Sequence, residues 1–214
     1  MTGVQTCALP ISNWRYATKK FDTTKKVSNE DLETLKEAIR LSASSYGLQP
    51  YKVLIIDNPE LRAQLQPAAW GQSQIVDASQ LLIFANITNF GDAEIDAFIK
   101  NLTETRGIPV EAVQGYADFM KSKISILPVD KRNIWTSKQT YLAMGNLLNA
   151  AADLNVDVTP MEGFEPEKVN EILGLDKLGL NASLIATVGY RHNEDDTQHY
   201  VKVRKSNEEL FINL

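Results

Sequence analysis

Residues 130–153 hold the longest helical pattern in the chain, and its composition limits where such a helix can stand. Trp135, Tyr141, Leu142, Leu147 and Leu148 line it, while Ala143, Gly145, Ala150, Ala151 and Ala152 keep its other faces narrow. Small residues on several sides let neighbours approach the helix axis from more than one direction. Such a helix is either the central core helix of a domain or the seam between two copies of the chain. The pattern alone supports the two equally.

Short apolar strands and helices alternate around it. Ser28, with Asp31 three residues on, caps a helix that runs to near Ser42 and gathers Leu32, Leu35, Ala38 and Ile39 on one face. "SASSYGLQP" (42–50) is a small-residue loop closed by Pro50. "YKVLIID" (51–57), "QLLIFANI" (80–87) and "ASLIATVGYR" (182–191) are buried strands, and "VDVTP" (156–160) is a shorter one. Asn58-Pro59 starts a short helix, Pro166 opens another over 166–174, and helical patterns cover 91–105 and 109–125. The alternation gives an α+β class with α/β character.

With 214 residues, 43% of them hydrophobic, the chain suits one sizeable domain. Its single cysteine, Cys7, excludes an intramolecular disulfide framework. No apolar run reaches the length of a membrane span. The sequons at Asn86, Asn101 and Asn181 lack a secretory signal and read as chance, so a cytoplasmic location is expected. The opening "MTGVQTCALPIS" matches neither period of regular structure and resembles a translated adapter sequence. It is expected to lie outside the fold, which leaves 13–214 as a single domain.

The net charge is −5, unevenly spread. Residues 13–26 carry five Lys/Arg against one Asp, and "QHYVKVRK" (198–205) carries three and no acid. Two cationic islands in an otherwise acidic chain suit a local anion site better than a polynucleotide surface, which would be basic over a whole face. Charge alone favours solvated surface for both. Familiar phosphate loops are absent: no two glycines are one residue apart, and the Gly174-to-Gly179 spacing lacks the following lysine. There is no nucleophile elbow, and His192 and His199 lack metal-ligand spacing and read as exposed loop residues. Any bound anion must therefore be held by side chains and helix ends. "VTPMEGFEP" (158–166) reads first as a turn, and Ser44 and Ser45 as residues of a flexible loop.

In chain order the segments read R-x-A-T-K-x-F-D from Arg15, S-x-S-S-x-x-x-Q-P from Ser42, G-Q-x-Q-x-x-D-A-S from Gly71, K-Q-x-Y-L-x-x-G-N-L-L from Lys138, P-x-E-G-F from Pro160, and K-V-R-K from Lys202. This succession resembles the nitroreductase family, in particular its oxygen-insensitive NAD(P)H nitroreductases and dihydropteridine reductases, over about residues 13–214. The resemblance implies a central mixed, largely antiparallel sheet flanked by helices, with the long helix at a dimer interface. It implies FMN as cofactor, NADH or NADPH as reductant, and a ping-pong two-electron reduction of nitroaromatics, quinones or pteridines. The alternative is a non-catalytic flavin- or nucleotide-binding regulatory protein of the same fold. By resemblance Arg15, Lys202 and Arg204 hold the FMN phosphate, with Tyr16 and Ala17 beside them. Lys19 lies by the ring edge that becomes anionic on reduction. Pro160, Met161, Glu162 and Gly163 face the ring nitrogen that accepts hydride, and Gln72 or Gln74 reads the pyrimidine edge. Ser44, Ser45 and Gln139 reach the flavin of a partner subunit in a homodimer, Gly47 is a further cofactor-binding position, and Phe119 gates the substrate. No nucleic acid, membrane or metal is implied. Ala17 stands where serine is common, and Gly47 and Gly71 where asparagine is, which leaves the choice between the two glutamines open.

Overall fold

The computed structural model describes residues 8–214, so Cys7 and the rest of segment 1–7 lie outside the described residues. In chain order the elements are α1 (Ala8–Trp14), α2 (Asn29–Arg40), β1 (Tyr51–Ile56), α3 (Pro59–Ala68), α4 (Gln74–Asp77), β2 (Gln80–Ile87), α5 (Asp92–Arg106), α6 (Gln114–Ile124), α7 (Val129–Asp153), β3 (Asp157–Met161), α8 (Pro166–Leu173), β4 (Leu180–Gly189) and α9 (Asn207–Leu210). The start signals work as expected. Ser28 accepts the amide of Asp31 at 3.0 Å, and Asn58 accepts that of Leu61 at 2.9 Å ahead of Pro59. One expectation is corrected: residues 8–12, thought to lack helical period, form most of α1. Its packing against α7 substitutes for an amphipathic pattern.

The four strands form one sheet in the order β1-β2-β4-β3, antiparallel at all three pairings. Side chains alternate across it. Leu82 and Phe84 of β2 join Leu35, Ile39, Ala143, Met144 and Leu147 in a core under α2 and α7. Leu81, Ile83 and Ala85 join Leu65, Ile75, Val169 and Leu175 under α3, α4 and α8. Both faces are covered, which is why β2 reads as a continuous apolar run. The β2–β4 register shifts between Phe84 and Ala85, so that Phe84 opposes Leu184 but Ala85 opposes Ala182. Ser183 is the extra residue, and its hydroxyl donates to Asn86 Oδ1 at 2.7 Å.

The helix α7 lies on the sheet, burying Thr136, Thr140, Ala143, Met144, Leu147 and Ala151. Its outer stripe still exposes Ile134, Tyr141 and Leu142. A third cluster joins Leu48, Phe90, Ile95, Met120 and Ile124 between α5 and α6. The apolar end of the chain is exposed: Phe211, Ile212 and Leu214 touch water although Ser206 caps α9. No helix among the described residues is long and apolar enough to cross a membrane.

Candidate functional site

The first basic segment lies along the exit of β4. Asp22 N–H donates to Tyr190 O at 2.8 Å, His192 N–H donates to Lys20 O at 2.9 Å, and Phe21 forms a bridge with Arg191. Trp14 and Tyr16 flank Arg15 in sequence, and both stack on the Arg191 guanidinium, with ring centroids 4.2 and 4.5 Å away. Arg191 is held in turn by Asp157 at the start of β3, through Nη2 at 2.6 Å and Nε at 3.0 Å. The neighbours of Arg15 are thus pinned on Arg191.

Arg15 itself lines a cavity of about 290 Å³ with Tyr16, Ala17, Thr197, Lys202 and Arg204, and no carboxylate among the described residues lines it. The two basic islands, far apart in sequence, meet here. Arg15 Nε is buried and has no hydrogen-bond partner among the described residues. Burial, then Arg204, lowers the Arg15 pKa from its usual value. Burial, followed by Arg15, Arg204 and Arg191, does the same to Lys202, whose Nζ donates to Arg15 O. Arg204 is exposed and, among the described residues, donates only to Val203 O, at 2.7 Å. Crowded cations that depress one another's charge, beside a buried orphan donor, fit a compact polyanion.

Asp195 closes the cluster from behind. Its Oδ2 accepts from Lys19 N at 2.7 Å, Tyr16 Oη at 2.9 Å and Lys20 N at 3.1 Å, and its Oδ1 accepts from Thr197 N at 3.1 Å. Burial pushes its pKa up, but these donors outweigh burial and hold it below the usual carboxylate value. The Tyr16 hydroxyl is raised well above its usual value by burial and then by Asp195. Lys20 pairs with Glu194, whereas the Lys19 ammonium makes no ion pair among the described residues.

Pro160, Met161 and Glu162, at the end of β3, line a second cavity of about 380 Å³ with Tyr141, Met144 and Leu148. The Tyr141 hydroxyl donates to Glu162 Oε1 at 2.6 Å, and burial, then Glu162, pushes its pKa up to about 12. Gln72 Nε2 donates to Gly163 O at 2.9 Å and to Ala69 O at 3.1 Å. Gln74, the other candidate, is buried at the start of α4. A Cβ on Gly163 would stand 2.9 Å from the ring of Trp70, an exposed indole on left-handed backbone (φ 55°).

Ser44, Ser45, Gly47, Gln139 and Phe119 form a third group. Gln139 Oε1 accepts from Ser45 N at 2.8 Å, and Ser44 Oγ accepts from Gln49 N at 2.9 Å. Tyr46, left-handed at φ 56° beside Gly47 at 75°, meets Tyr116 and Phe119 edge-on at 6.4 and 6.3 Å between centroids. None of these residues lines the cationic cavity. Asp195, Arg191, Asp157, Tyr141 and Trp70 were not singled out as site residues from sequence. Tyr141 stands inside one of the motifs, so its place there was available. Asp195 sits in a charged stretch that looks solvated, while Asp157 and Arg191 stand at the ends of apolar strands, where sequence does not show that they pair.

A family model described as "Nitroreductase family" matches residues 13–190. The chain is 37% identical over 202 residues to the "Putative NAD(P)H nitroreductase YfkO" of Bacillus subtilis, covering 89% of this chain and 91% of that protein. It is 35% identical over 219 residues to the "Putative NAD(P)H nitroreductase SSP0379" of Staphylococcus saprophyticus, covering 98% of each. Among solved structures it is similar to a "putative nitroreductase in complex with FMN" from Exiguobacterium sibiricum, with a TM-score of 0.83 at 21% identity over the whole of both chains.

Proposed function

Because the chain belongs to the nitroreductase family, we propose that it is an FMN-dependent NAD(P)H oxidoreductase that reduces small-molecule oxidants, nitroaromatics, quinones or pteridines, in a ping-pong exchange. The observation that carries this reading is the cationic cavity lined by Arg15, Lys202 and Arg204, with no carboxylate of the described residues on its walls and with the Arg15 Nε buried and unpartnered among those residues. The donor set suits a phosphate monoester: a planar guanidinium can grip two phosphate oxygens, and an ammonium adds a point charge. Arg15, Lys202 and Arg204 would hold it, with Tyr16 and Ala17 beside them. The FMN named for the Exiguobacterium neighbour agrees with this choice.

When bound, FMN would supply the redox chemistry, taking hydride from NAD(P)H and passing two electrons to the oxidant. The protein's part is to bind and orient. Lys19 offers a cation, with no ion pair among the described residues, to the ring edge that gains charge. Gln72 has both observed amide donations directed at backbone carbonyls, which leaves its Oε1 as an acceptor for a ring N–H, so we assign it rather than Gln74 the pyrimidine edge. Pro160, Met161, Glu162 and Gly163 form the wall at the hydride-accepting side, and Phe119, with Tyr46 and Tyr116, the aromatic wall for substrate. Residues 13–214 act as one domain, placed in the cytoplasm where the reductant pool lies.

We further propose that the active unit is a homodimer in which Ser44, Ser45, Gly47, Gln139 and Phe119 of one copy complete the site of the other. Their separation from the cationic cavity, the exposed stripe Ile134–Tyr141–Leu142 on α7 and the exposed tail support it. The test of function is direct. The purified protein should bind FMN, turn yellow, and bleach when NADH or NADPH is added without oxygen. A protein that binds FMN tightly but is reduced by neither nucleotide would overturn the enzymatic reading.

A further inference from the structure

Asp195 does not line the cationic cavity, yet its carboxylate is the point at which both basic segments are fastened. It is 3% exposed. Three donors from the first segment converge on one oxygen, Oδ2: the Tyr16 hydroxyl and the consecutive amides of Lys19 and Lys20. The other oxygen takes the amide of Thr197, which leads into the tail that carries Lys202 and Arg204. Consecutive amides aimed at one point form an anion-binding nest, and a full negative charge satisfies it better than a neutral group.

An anion behind a site that must hold a phosphate is electrostatically the wrong sign. Its Coulomb field weakens phosphate binding and disfavours negative charge on a reduced cofactor. Placement accounts for its presence. Lys20 Nζ is engaged by Glu194 and Lys20 O by His192 N. Thr18 O accepts the hydroxyl of Thr159 at 2.7 Å. With the Lys19 amide on Asp195, the backbone from Thr18 to Lys20 is fixed on every side, and the Lys19 side chain leaves it from a set position.

We propose that Asp195 is a positioning residue: a buried anion that sets where the Lys19 ammonium stands and locks the Arg15 segment and the Lys202–Arg204 tail into one frame. The proposal rests on the reading of Lys19 as the cation beside the FMN ring. Asp195→Asn offers one neutral oxygen to donors now served by a charge, and its NH₂ group must face either Thr197 N–H or the Lys19 and Lys20 amides, donor against donor. The two possible roles then predict opposite signs. Loss of placement weakens FMN and disfavours the reduced state, whereas loss of a bare negative charge strengthens both.

The experiment is FMN titration and dye-coupled measurement of the midpoint potential on wild type, Asp195→Asn, Lys19→Met and the double variant. Expected is about tenfold weaker FMN binding for Asp195→Asn. Its preference for reduced over oxidised cofactor should also fall about tenfold, close to 30 mV for a two-electron couple. The potential shift of the double variant should barely exceed that of Lys19→Met, because Asp195 acts through Lys19. A raised potential or tighter FMN in Asp195→Asn, or shifts that simply add, would overturn the proposal. Should Asp195→Asn fail to fold, Tyr16→Phe removes one donor to the carboxylate without changing charge. It should lower the potential in the same direction, and an unchanged value refutes the idea. A wild-type protein that binds no FMN sinks this proposal together with the functional reading. Normal wild-type behaviour beside an unaltered Asp195→Asn sinks this proposal alone.

Discussion

Replacing Arg191 with alanine should unfold this protein far more easily than a partly exposed arginine would suggest. Asp157 is 3% exposed and accepts three groups of Arg191: the backbone N–H at 2.9 Å, which alanine keeps, and the side-chain Nε and Nη2, which it loses. Stranding a buried charge by removing its partner costs about 3–5 kcal/mol, and the retained amide puts this case near about 3. The guanidinium also lies between the Trp14 and Tyr16 rings at 4.2 and 4.5 Å, two cation–π contacts together contributing about 1–2 kcal/mol. The total is about 4–5 kcal/mol, or a drop of about 10–15 °C in melting temperature for a chain of this size. Urea unfolding of the FMN-free protein, read by circular dichroism, measures it. In the Asp157→Asn/Arg191→Ala double variant most of the loss from the ion pair should return, because no charge is then left buried and unpaired. FMN binding should weaken in Arg191→Ala as well, since Trp14 and Tyr16 hold Arg15 from both sides. A melting temperature within about 2 °C of wild type would refute the reasoning, as would a double variant that loses the sum of the single losses.

Arg15→Ala should weaken FMN by about 2–5 kcal/mol, the range for truncating one partner of a desolvated charge pair. Arg204→Ala should cost less, because Arg204 is exposed; equal losses in FMN titration would contradict this. Gly163→Ala brings a Cβ to 2.9 Å from Trp70, so the indole must swing away. Its fluorescence should shift while stability falls by only about 1 kcal/mol, and an unchanged emission spectrum argues against the contact. Asp195 has a folded pKa below the ordinary value, so its extra stability is complete above the unfolded pKa, about pH 4, and is lost as pH falls through the folded pKa. Urea midpoints of Asp195→Asn should therefore depend less steeply on pH below about 4 than those of wild type, and parallel curves would contradict this. Refolding Arg204→Ala chains together with chains carrying Ser44→Trp should restore part of the activity if sites are shared between copies, whereas dimers that remain inactive would show that they are not.

The secondary structure was legible where local chemistry decides it. Ser28, Asn58-Pro59 and the apolar runs 51–57 and 80–87 each announce an element through a cap, a fixed φ or a buried strand's composition. The same capping logic applied to Ser206 and Glu209 would have found α9. By contrast α1 has no such signature and depends on contact with α7. The meeting of Arg15 with Lys202 and Arg204 was expected from the order of the motifs, since the two cationic islands by charge alone read as solvated surface. Asp195 was not foreshadowed, because a run such as "HNEDDTQH" looks the same whether an aspartate faces water or four hydrogen-bond donors. Nor could composition choose between Gln72 and Gln74, two residues apart; the turn at Trp70 and Gly71 decides which one reaches Gly163.

The extra residue in β4 also acts as a proofreading device for strand pairing. Ser183 breaks the alternation, so Ala182 and Leu184, two residues apart, join cores on opposite faces of the sheet. Asn86, 1% exposed, marks the correct alignment. Its Oδ1 takes the Ser183 hydroxyl and Asn181 Nδ2, and its own Nδ2 donates to Thr136 Oγ1 of α7 at 2.9 Å. A slip of one position during folding would strand these buried amides without partners and turn Leu184 away from its core, each a cost of kilocalories. One misplaced pairing is thereby made unfavourable on both faces at once, so β2 and β4 settle into the single alignment on which the position of β3 depends, and with it the turn that presents Glu162 and Gly163.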